Sequence, residues 1–498
     1  MTKAPSKQHR IQQTVLAFEE FANPFGARLR KDNKWVIRAS LIPWNEISQG
    51  IESVSGGAGR PEIPFRMAFG ALMVKEILGT SDRETVEAIA ENPYIQFFLG
   101  MPSYSVLEPF DASSMTHFRK RFGDAMIRKA NELLVSSQKD AVEPPPAESE
   151  TKTNQGTMII DATCAPEDMR YPTELGLLND VRRFTEAVVT VLWHSNALTR
   201  MEGEKKPRTY RREARKEFLS VVRCRKIKEN ILRKGIRKQI GYCERNLRHI
   251  DALLQRMKGY TMPEKHAERL ALARKIVAQQ SSLLEAKKGK DGKRASIPDR
   301  IVSFCKPHVR AIVRGKAAHP TEFGAKLSVS VAEGFVYLDH LNWNAFHEGS
   351  DLPKQAMLYK KRNGFLPARI LCDKAYHNRE NRAWCKENNI ELGAPPVGRP
   401  PTDENERKQI ARQVRKNEIG RIEVEGKFGV AKRRFSLGKV MTRLRESSEC
   451  VISLVFMVMN LEKLTRLLFV LIGFLEFWLE QTRNLHEEEA FSDIMPAV

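Results

Sequence analysis

The sequence lacks the cysteine patterns that stabilise small secreted domains or bind zinc. Its seven cysteines are odd in number and widely spaced, and no Cys-x-x-Cys pair occurs. These features argue against a disulfide framework and against a zinc ribbon. A reducing cytoplasm is therefore the expected compartment. The N-terminus also leads into no apolar segment of the kind found in signal peptides.

Long uninterrupted apolar runs are missing as well. The most apolar stretch, VISLVFMVMNLEKLTRLLFVLIGFLEFWLEQ, is broken by the segment NLEK, by Arg466 and by Glu476. Its uninterrupted pieces are shorter than the roughly 20 residues that a membrane-spanning helix needs. We therefore predict buried core helices here and no membrane partner.

Acidic residues are too few to balance the basic ones. Lysine and arginine number 83 against 61 aspartates and glutamates, which gives a formal net charge of +22. The basic residues cluster in runs such as KKPRTYRREARK and AKRR. This charge favours a polyanionic partner, and we infer nucleic acid, although a generally basic soluble protein has the same composition.

The order of the patterns predicts a mixed α/β core that is interrupted by a large helical insertion and preceded by an all-α domain. A chain of 498 residues is too long for a single core. We place the helical N-terminal domain at 1–137, a linker rich in Pro, Glu, Ser and Thr at 138–156, the α/β core at 157–175 and 301–470, the insertion at 176–300, and a C-terminal helix and tail at 471–498.

The N-terminal domain contains a helix-turn-helix-like set of helices. Ser81 with Glu84 forms a capping-box pattern at the start of one helix. In the next helix, Arg119 and Lys120 could face phosphates or bases, together with Thr116 and His117. A purely structural bundle is an equally good interpretation, because helical hairpins are common.

Strand and helix patterns alternate through the remainder. The insertion contains two heptad-like segments separated by KGYTMPEK, which predicts an antiparallel helical hairpin. Strand patterns occur at TMII, HVRAIVRG, AKLSVSVAEGFVYLDHL and LPARILCDKAY. The third contains the turn-like AEG and predicts a β-hairpin. A long charged helix is expected from about 404 to 435.

Two aspartates directly follow predicted buried strands. Asp161 comes after TMII, where we expect the strand to end, and Asp373 comes after ARILC. Ligands commonly bind at such strand ends, and two buried aspartates need a cation because an unpaired buried charge is costly. For each aspartate taken alone, a capping role at the next turn is the better interpretation, and a third carboxylate reverses that preference.

The segment RIEVEGKFGVAKRR offers two candidates for a third carboxylate, Glu423 and Glu425. On a helix, Glu425 shares one side with Arg421 and Lys432, and the two glutamates flank an apolar stripe. Helical geometry alone does not choose between them, and both could be exposed ion pairs of little energetic value.

Several segments resemble the DDE transposases of bacterial insertion sequences, in the group with an InsH-like N-terminal domain. They are MIIDATCAPEDMRYPTELGLLNDVR, ILCDKAYHNRENRAWCKENNIEL, RIEVEGKFGVAKRRFSLGKVMTRLRE and, near the N-terminus, PFRMAFGALMVKEIL…ENPYIQFFLG. The third block of this family carries an Arg, a Glu four residues on and a Lys seven further, which Arg421, Glu425 and Lys432 match. The family's Tyr before the Arg is Glu418 here.

The resemblance implies a ribonuclease-H-like catalytic fold. Asp161, Asp373 and Glu425 would bind two Mg²⁺ ions, or Mn²⁺ in their place, and Arg421 and Lys432 would hold phosphates. It also implies DNA as the partner, both terminal inverted repeats and target DNA, with a homodimer in the synaptic complex at the bacterial nucleoid. Two alternatives stay open, a non-catalytic DNA-binding protein derived from a transposase and a nuclease on the same fold.

Overall fold

The computed structural model describes residues 21, 28–49, 63–139, 154–195, 203–257, 259–286, 297–313, 321–396 and 403–492, with side chains as far as 478 except those of 475 and 476. Most of the predicted linker lies outside these residues. In chain order the elements are α1 (Lys34–Leu41), α2 (Trp44–Gln49), α3 (Phe65–Leu78), α4 (Asp82–Glu91), α5 (Pro93–Phe98), α6 (Ser114–Arg121), α7 (Asp124–Lys139), β1 (Thr157–Pro166), α8 (Glu174–Ser195), α9 (Arg211–Val222), α10 (Glu229–Arg256), α11 (Glu264–Glu285), β2 (Arg310–Val313), β3 (Thr321–Ala332), β4 (Phe335–Asn342), α12 (Leu352–Asn363), β5 (Arg369–Leu371), α13 (Arg379–Glu387), β6 (Glu391–Gly393), α14 (Glu404–Arg434) and α15 (Arg445–Ser492).

The chain forms two compact units. The first comprises Met1–Pro166, Lys326–Leu341 and Phe346–Val498, and the second comprises Glu167–Ala325 and Asn342–Ala345. The first unit therefore contains both the N-terminal helices and the sheet, whereas the sequence predicts a separate N-terminal domain. The second unit corresponds broadly to the predicted helical insertion.

The sheet of the first unit has the strand order β4-β3-β1-β5-β6. Strands β1, β5 and β6 are parallel, with Thr157 opposite Arg369 and Ile159 opposite Leu371. Strands β3 and β4 form the predicted hairpin. Its two-residue turn has positive φ at Glu333 (52°) and Gly334 (74°), as a type I′ turn requires.

The C-terminal helix joins the N-terminal helices to the sheet. Helix α15 packs against α1, α3, α6 and α7. The buried side chain of Asn460 donates to Asn131 of α7 (2.9 Å) and to the carbonyl of Val336 in β4 (2.8 Å), and it accepts from the Val336 amide (2.9 Å). A buried polar network is stable only when its groups are satisfied, so these bonds fix the three elements together.

Local predictions in the N-terminal helices hold. The capping box is formed, since the Glu84 amide donates to Ser81 Oγ (3.3 Å) and the Ser81 amide donates to Glu84 Oε2 (2.7 Å).

Helix α14 begins and ends within one residue of the predicted bounds. All seven cysteines are free thiols.

The second unit contains four helices, α8 to α11, rather than a hairpin alone. Helix α10 packs against α11, as predicted, and also against α8 and α9. Their shared core includes Leu178, Val189, Cys243, Ile250 and Ile276. The heptad pattern did not reveal the packing of α8 on α10, because α8 contributes its apolar face from a different part of the chain. Strand β2 pairs antiparallel with the first residues of β3.

The apolar C-terminal stretch differs from the prediction in its second half. From Cys450 to Thr465 most residues are buried, but large apolar side chains from Leu467 to Trp478 are exposed. No helix in the described part of the chain is long and apolar enough to cross a membrane.

Candidate active site

Asp161 lies within β1 and not at its end. The strand continues to Pro166, which corrects the prediction that it stops at Asp161. The reason is that Thr163, Cys164 and Ala165 are buried and extend the strand through the centre of the sheet. The neighbouring strand β5 is only three residues long, so β1 continues past it. Asp161 therefore lies beside the carboxyl end of β5. We call this part of the sheet, with Asp161 and Asp373, the ledge.

Asp373 stands on the same ledge. The register that pairs Ile159 with Leu371, continued by two residues, sets Asp373 opposite Asp161. The backbone of Asp373 is still extended (φ −81°, ψ 179°) just past the end of β5, and its carboxylate is close enough to Asp161 to oppose the ionisation of Asp161. Asp373 also caps the 3₁₀ turn Lys374–Tyr376, where its Oδ1 accepts from the Ala375 amide (2.9 Å).

Helix α14 covers this face of the sheet. Val424 and Ala431 are fully buried, as the apolar stripe predicts. At Gly420 a Cβ atom would lie 2.6 Å from Leu371 Cδ1, so glycine permits the close approach of the helix to β5. One turn of the helix thus brings the Arg421 guanidinium to 3.6 Å from Asp161 Oδ2.

The pKa values of Asp161 and Asp373 are both raised above their ordinary range. Burial raises the pKa of Asp161 to about 6, and the nearby carboxylates of Asp373 and Glu348 add to this, against the Ala162 amide and Arg421. The pKa of Asp373 is raised by burial and then by Glu348. A cation between these groups would relieve both effects.

Glu423 and Glu425, between which helical geometry alone does not choose, lie in different surroundings in the structure. Glu423 points toward the β3–β4 turn, since its Oε1 would lie 3.2 Å from a Cβ atom on Gly334. Glu425 is exposed on the side of α14 that carries Arg421. Glu425 lies four residues after Arg421, which corresponds to about 6 Å along the helix. It therefore lies roughly one turn beyond the contact between Arg421 and Asp161.

Glu348 is the acidic residue that sequence reasoning missed. It begins the 3₁₀ turn Glu348–Asp351 after β4 and forms an ion pair with Lys326 (2.9 Å). A glutamate in a short turn belongs to no periodic pattern, and no motif in the sequence marks it.

The acidic ledge offers oxygen donors, which is the donor set that Mg²⁺ prefers. Among the described residues, no three His, Cys, Asp or Glu side chains are already close enough together to hold a metal ion. The buried hydroxyl of Tyr376 makes no hydrogen bond to any described residue. Its pKa is held well above the usual range by burial and by the carboxylates of Glu348, Asp161 and Asp373. The ledge therefore fits a hydrated, hard cation.

Comparison with known families covers both ends of the chain. Residues 370–462 match the family described as "Transposase DDE domain", and residues 23–121 match "Transposase domain (DUF772)". An uncharacterised protein from Rhizobium meliloti, "ORF8 in nfe locus", is 31% identical over 157 residues, which are 32% of this chain and 70% of that protein. No solved structure matches the chain.

The chain belongs to the DDE transposases. The predicted resemblance is confirmed, and with it the ribonuclease-H-like fold of the mixed α/β core. The transposase DDE match includes Asp373, Arg421 and Glu425, and Asp161 precedes it in the chain.

The proposed DNA contacts of this transposase lie in different surroundings. Lys120 is exposed on α6, and Lys432 is half-buried in the last turn of α14. Arg119 is buried and donates twice to Asp82 of α4 (3.0 and 2.7 Å). Because its guanidinium is committed to this internal ion pair, Arg119 holds α6 on α4, and we keep only Lys120 as a phosphate contact in this helix.

Proposed function

We propose that this transposase hydrolyses DNA at the ends of its element and joins the freed ends to target DNA. Water attacks a phosphorus atom at the element end, and the bond to the 3′ oxygen breaks to leave a 3′-hydroxyl. That hydroxyl then attacks a phosphorus atom of the target strand. The new bond joins the element's 3′ oxygen to that phosphorus, and the bond from the phosphorus to the target's own 3′ oxygen breaks to leave a 3′-hydroxyl on the target. The observation that supports this proposal is the position of Asp161 beside Asp373 at the carboxyl end of β5, where the pKa values of both carboxyl groups are raised.

Asp161, Asp373 and Glu425 are the proposed ligands of two Mg²⁺ ions, or of Mn²⁺. The chemistry such ions supply when bound is activation of the attacking oxygen and stabilisation of the leaving one. Arg421 keeps Asp161 ionised at neutral pH and stands beside the place where a phosphate would enter. The Arg421 side chain is 16% exposed, so part of its guanidinium is accessible to that phosphate.

DNA binding follows from the charge of the protein and from these side chains. The net charge of +22 supplies sequence-independent attraction, and Lys120 and Lys432 are proposed phosphate contacts. The sequences of the terminal repeats would be read by other side chains of the same basic surface.

Pairing of two copies is proposed through the exposed face of α15. Six large apolar side chains there are between 51% and 72% exposed, namely Leu467, Val470, Leu471, Phe474, Phe477 and Trp478. Their spacing in steps of three and four is that of a coiled-coil seam. With roughly 150–250 Å² for a large side chain, they expose about 800 Å², the usual contribution of one partner to a specific interface. A two-fold pair of α15 helices would cover this seam.

The test uses the full-length protein and labelled duplexes that carry the ends of the element. With Mg²⁺ we expect strand cleavage and then joining, and both should fall by at least 100-fold in Asp161→Asn and in Asp373→Asn. Salt-sensitive DNA binding without cleavage would favour the alternative of a non-catalytic DNA-binding protein. Cleavage without joining would favour the alternative of a nuclease. Full activity of either variant would overturn the proposed site.

A further inference from the structure

The turn that carries Glu348 is fixed against the turn that carries Asp373. The buried side chain of Asn381 donates to the carbonyl of Gly349 (2.7 Å) and to that of Tyr376 (2.8 Å). The two turns also touch directly, because a Cβ atom on Gly349 would lie only 2.6 Å from the Ala375 carbonyl oxygen. The backbone of Glu348 is therefore held in place beside the aspartate ledge.

The Glu348 side chain has one strong partner and remains partly open. Lys326 Nζ lies 2.9 Å from Glu348 Oε2 and also donates to the Phe346 carbonyl (2.8 Å). The Glu348 side chain is 22% exposed. Even with this partner, its charge reaches both Asp161 and Asp373 and opposes their ionisation.

A second observation points to something bound beside these carboxylates. Tyr376 is fully buried, and its hydroxyl has no hydrogen-bond partner among the described residues. Glu348, Asp161 and Asp373 all act electrostatically on that hydroxyl. Leaving a buried donor unpaired costs about 1–3 kcal/mol, so a ligand that accepts its hydrogen bond would recover that energy.

We propose that Glu348 is a further carboxylate of the metal site, which acts with Asp161 and Asp373, and that the Tyr376 hydroxyl donates to the hydration shell or substrate held there. This inference rests on the proposed function and extends it, because Glu348 adds to Glu425 and does not replace it. The backbone of Glu348 is already fixed, so only its side chain needs to turn from Lys326 toward the ledge. An extra carboxylate would strengthen binding of a divalent ion before DNA arrives.

The decisive measurement is Mn²⁺ affinity of the full-length protein without DNA, followed by electron paramagnetic resonance of free Mn²⁺. Removing a group that ligates or orients a ligand typically weakens metal affinity by roughly 10–100-fold. We therefore expect Glu348→Gln to weaken Mn²⁺ binding at least 10-fold, whereas Glu380→Gln, an exposed change on α13, leaves it unchanged.

Lys326→Met separates a ligand from a structural ion pair. If Glu348 served only to pair with Lys326, both Glu348→Gln and Lys326→Met would lower the melting temperature and neither would change Mn²⁺ affinity, which would overturn the inference. If Glu348 is a ligand, Lys326→Met keeps or increases Mn²⁺ affinity. Tyr376→Phe should raise the melting temperature of the metal-free protein, because it removes a buried hydroxyl that has no partner among the described residues, and it should slow Mn²⁺-dependent cleavage.

Asp161→Asn distinguishes failure of the proposed function from failure of the inference about Glu348. Unchanged Mn²⁺ affinity in Asp161→Asn would mean that the ledge binds no metal, and the proposed function would fail with it. Weaker binding in Asp161→Asn together with normal binding in Glu348→Gln would remove Glu348 alone and leave the proposed function standing.

Discussion

Asp161 of β1 lies beside Asp373, which follows the end of the neighbouring parallel strand β5, although the two residues are far apart in the chain. The arrangement depends on unequal strand lengths. Strand β5 ends at Leu371, whereas β1 continues to Pro166, so both carboxylates lie where the sheet is open to a ligand. Their like charges and their burial disfavour ionisation, which is the electrostatic state that a divalent cation would reverse.

Asp161→Asn should stabilise the metal-free protein at neutral pH. A carboxyl whose folded pKa is raised contributes stability below its unfolded pKa, and that contribution is lost as pH rises through the folded value of about 6. Asparagine carries no such penalty, so the variant should gain up to about 3 kcal/mol above pH 6, at about 1.4 kcal/mol per pKa unit. Melting curves from pH 4 to 8 in EDTA should show that the difference in stability between the variant and the parent protein increases between pH 4 and 6. A constant difference across that range would contradict the assigned pKa.

Glu425→Gln and Glu423→Gln are a matched pair on one helix. Glu425 lies on the side of α14 that contacts Asp161 through Arg421, whereas Glu423 lies toward Gly334. We expect cleavage to fall at least 100-fold in Glu425→Gln and less than threefold in Glu423→Gln. Equal losses, measured under the same Mg²⁺ conditions, would move the third ligand away from Glu425.

Gly349→Ala should disturb the site without touching a charged group. Its Cβ atom would lie 2.6 Å from a backbone oxygen that cannot rotate away. Forcing the two turns apart should cost about 1–3 kcal/mol and lower both Mn²⁺ affinity and cleavage. Gly426→Ala is the control, since a Cβ atom there meets nothing within 4 Å and alanine favours a helix. Urea unfolding should show a loss in the first variant and a small gain in the second.

Arg119→Ala and Lys120→Ala should have different effects although the residues are adjacent. Arg119 is buried against Asp82, which is 29% exposed and would keep Lys75 as a partner (2.9 Å), so the removal of Arg119 should destabilise the fold by about 1–3 kcal/mol. Lys120 is exposed, and its removal should leave stability unchanged. If Lys120 contacts phosphate, the slope of log affinity against log salt should fall by about one. An unchanged slope would remove Lys120 from the DNA interface.

Phe474→Glu together with Phe477→Glu should convert a dimer into a monomer. Both side chains lie on the exposed seam of α15, and two opposed pairs of charges would be buried at a two-fold interface. Light scattering after size exclusion should report half the mass, with the melting temperature within about 2 °C of the parent. Arg445→Glu, at the start of the same helix, is the control for added negative charge. A monomeric parent protein would rule out the seam as a self-association surface.

The sequence by itself determined the local elements and indicated the candidate residues of the site. The alternation of the β3–β4 hairpin, the capping box at Ser81 and the bounds of α14 depend on interactions between near neighbours, which a sequence displays directly. The aspartates at 161 and 373 stood out because each directly follows a run of apolar residues in the sequence. The Arg421, Glu425 and Lys432 spacing matched a family pattern, and the DDE transposase family was confirmed.

Tertiary structure alone decided what lies beside those residues. Glu348 reaches the ledge because Asn381 joins two turns that are distant in sequence, and no periodicity records such a contact. The same is true of Arg119, whose burial depends on Asp82 of another helix. It is also true of α15, whose large apolar residues continue to Trp478 but are buried only as far as about Thr465. Burial and pairing across long separations are collective properties of the packed chain, so they become visible only when the elements are in place.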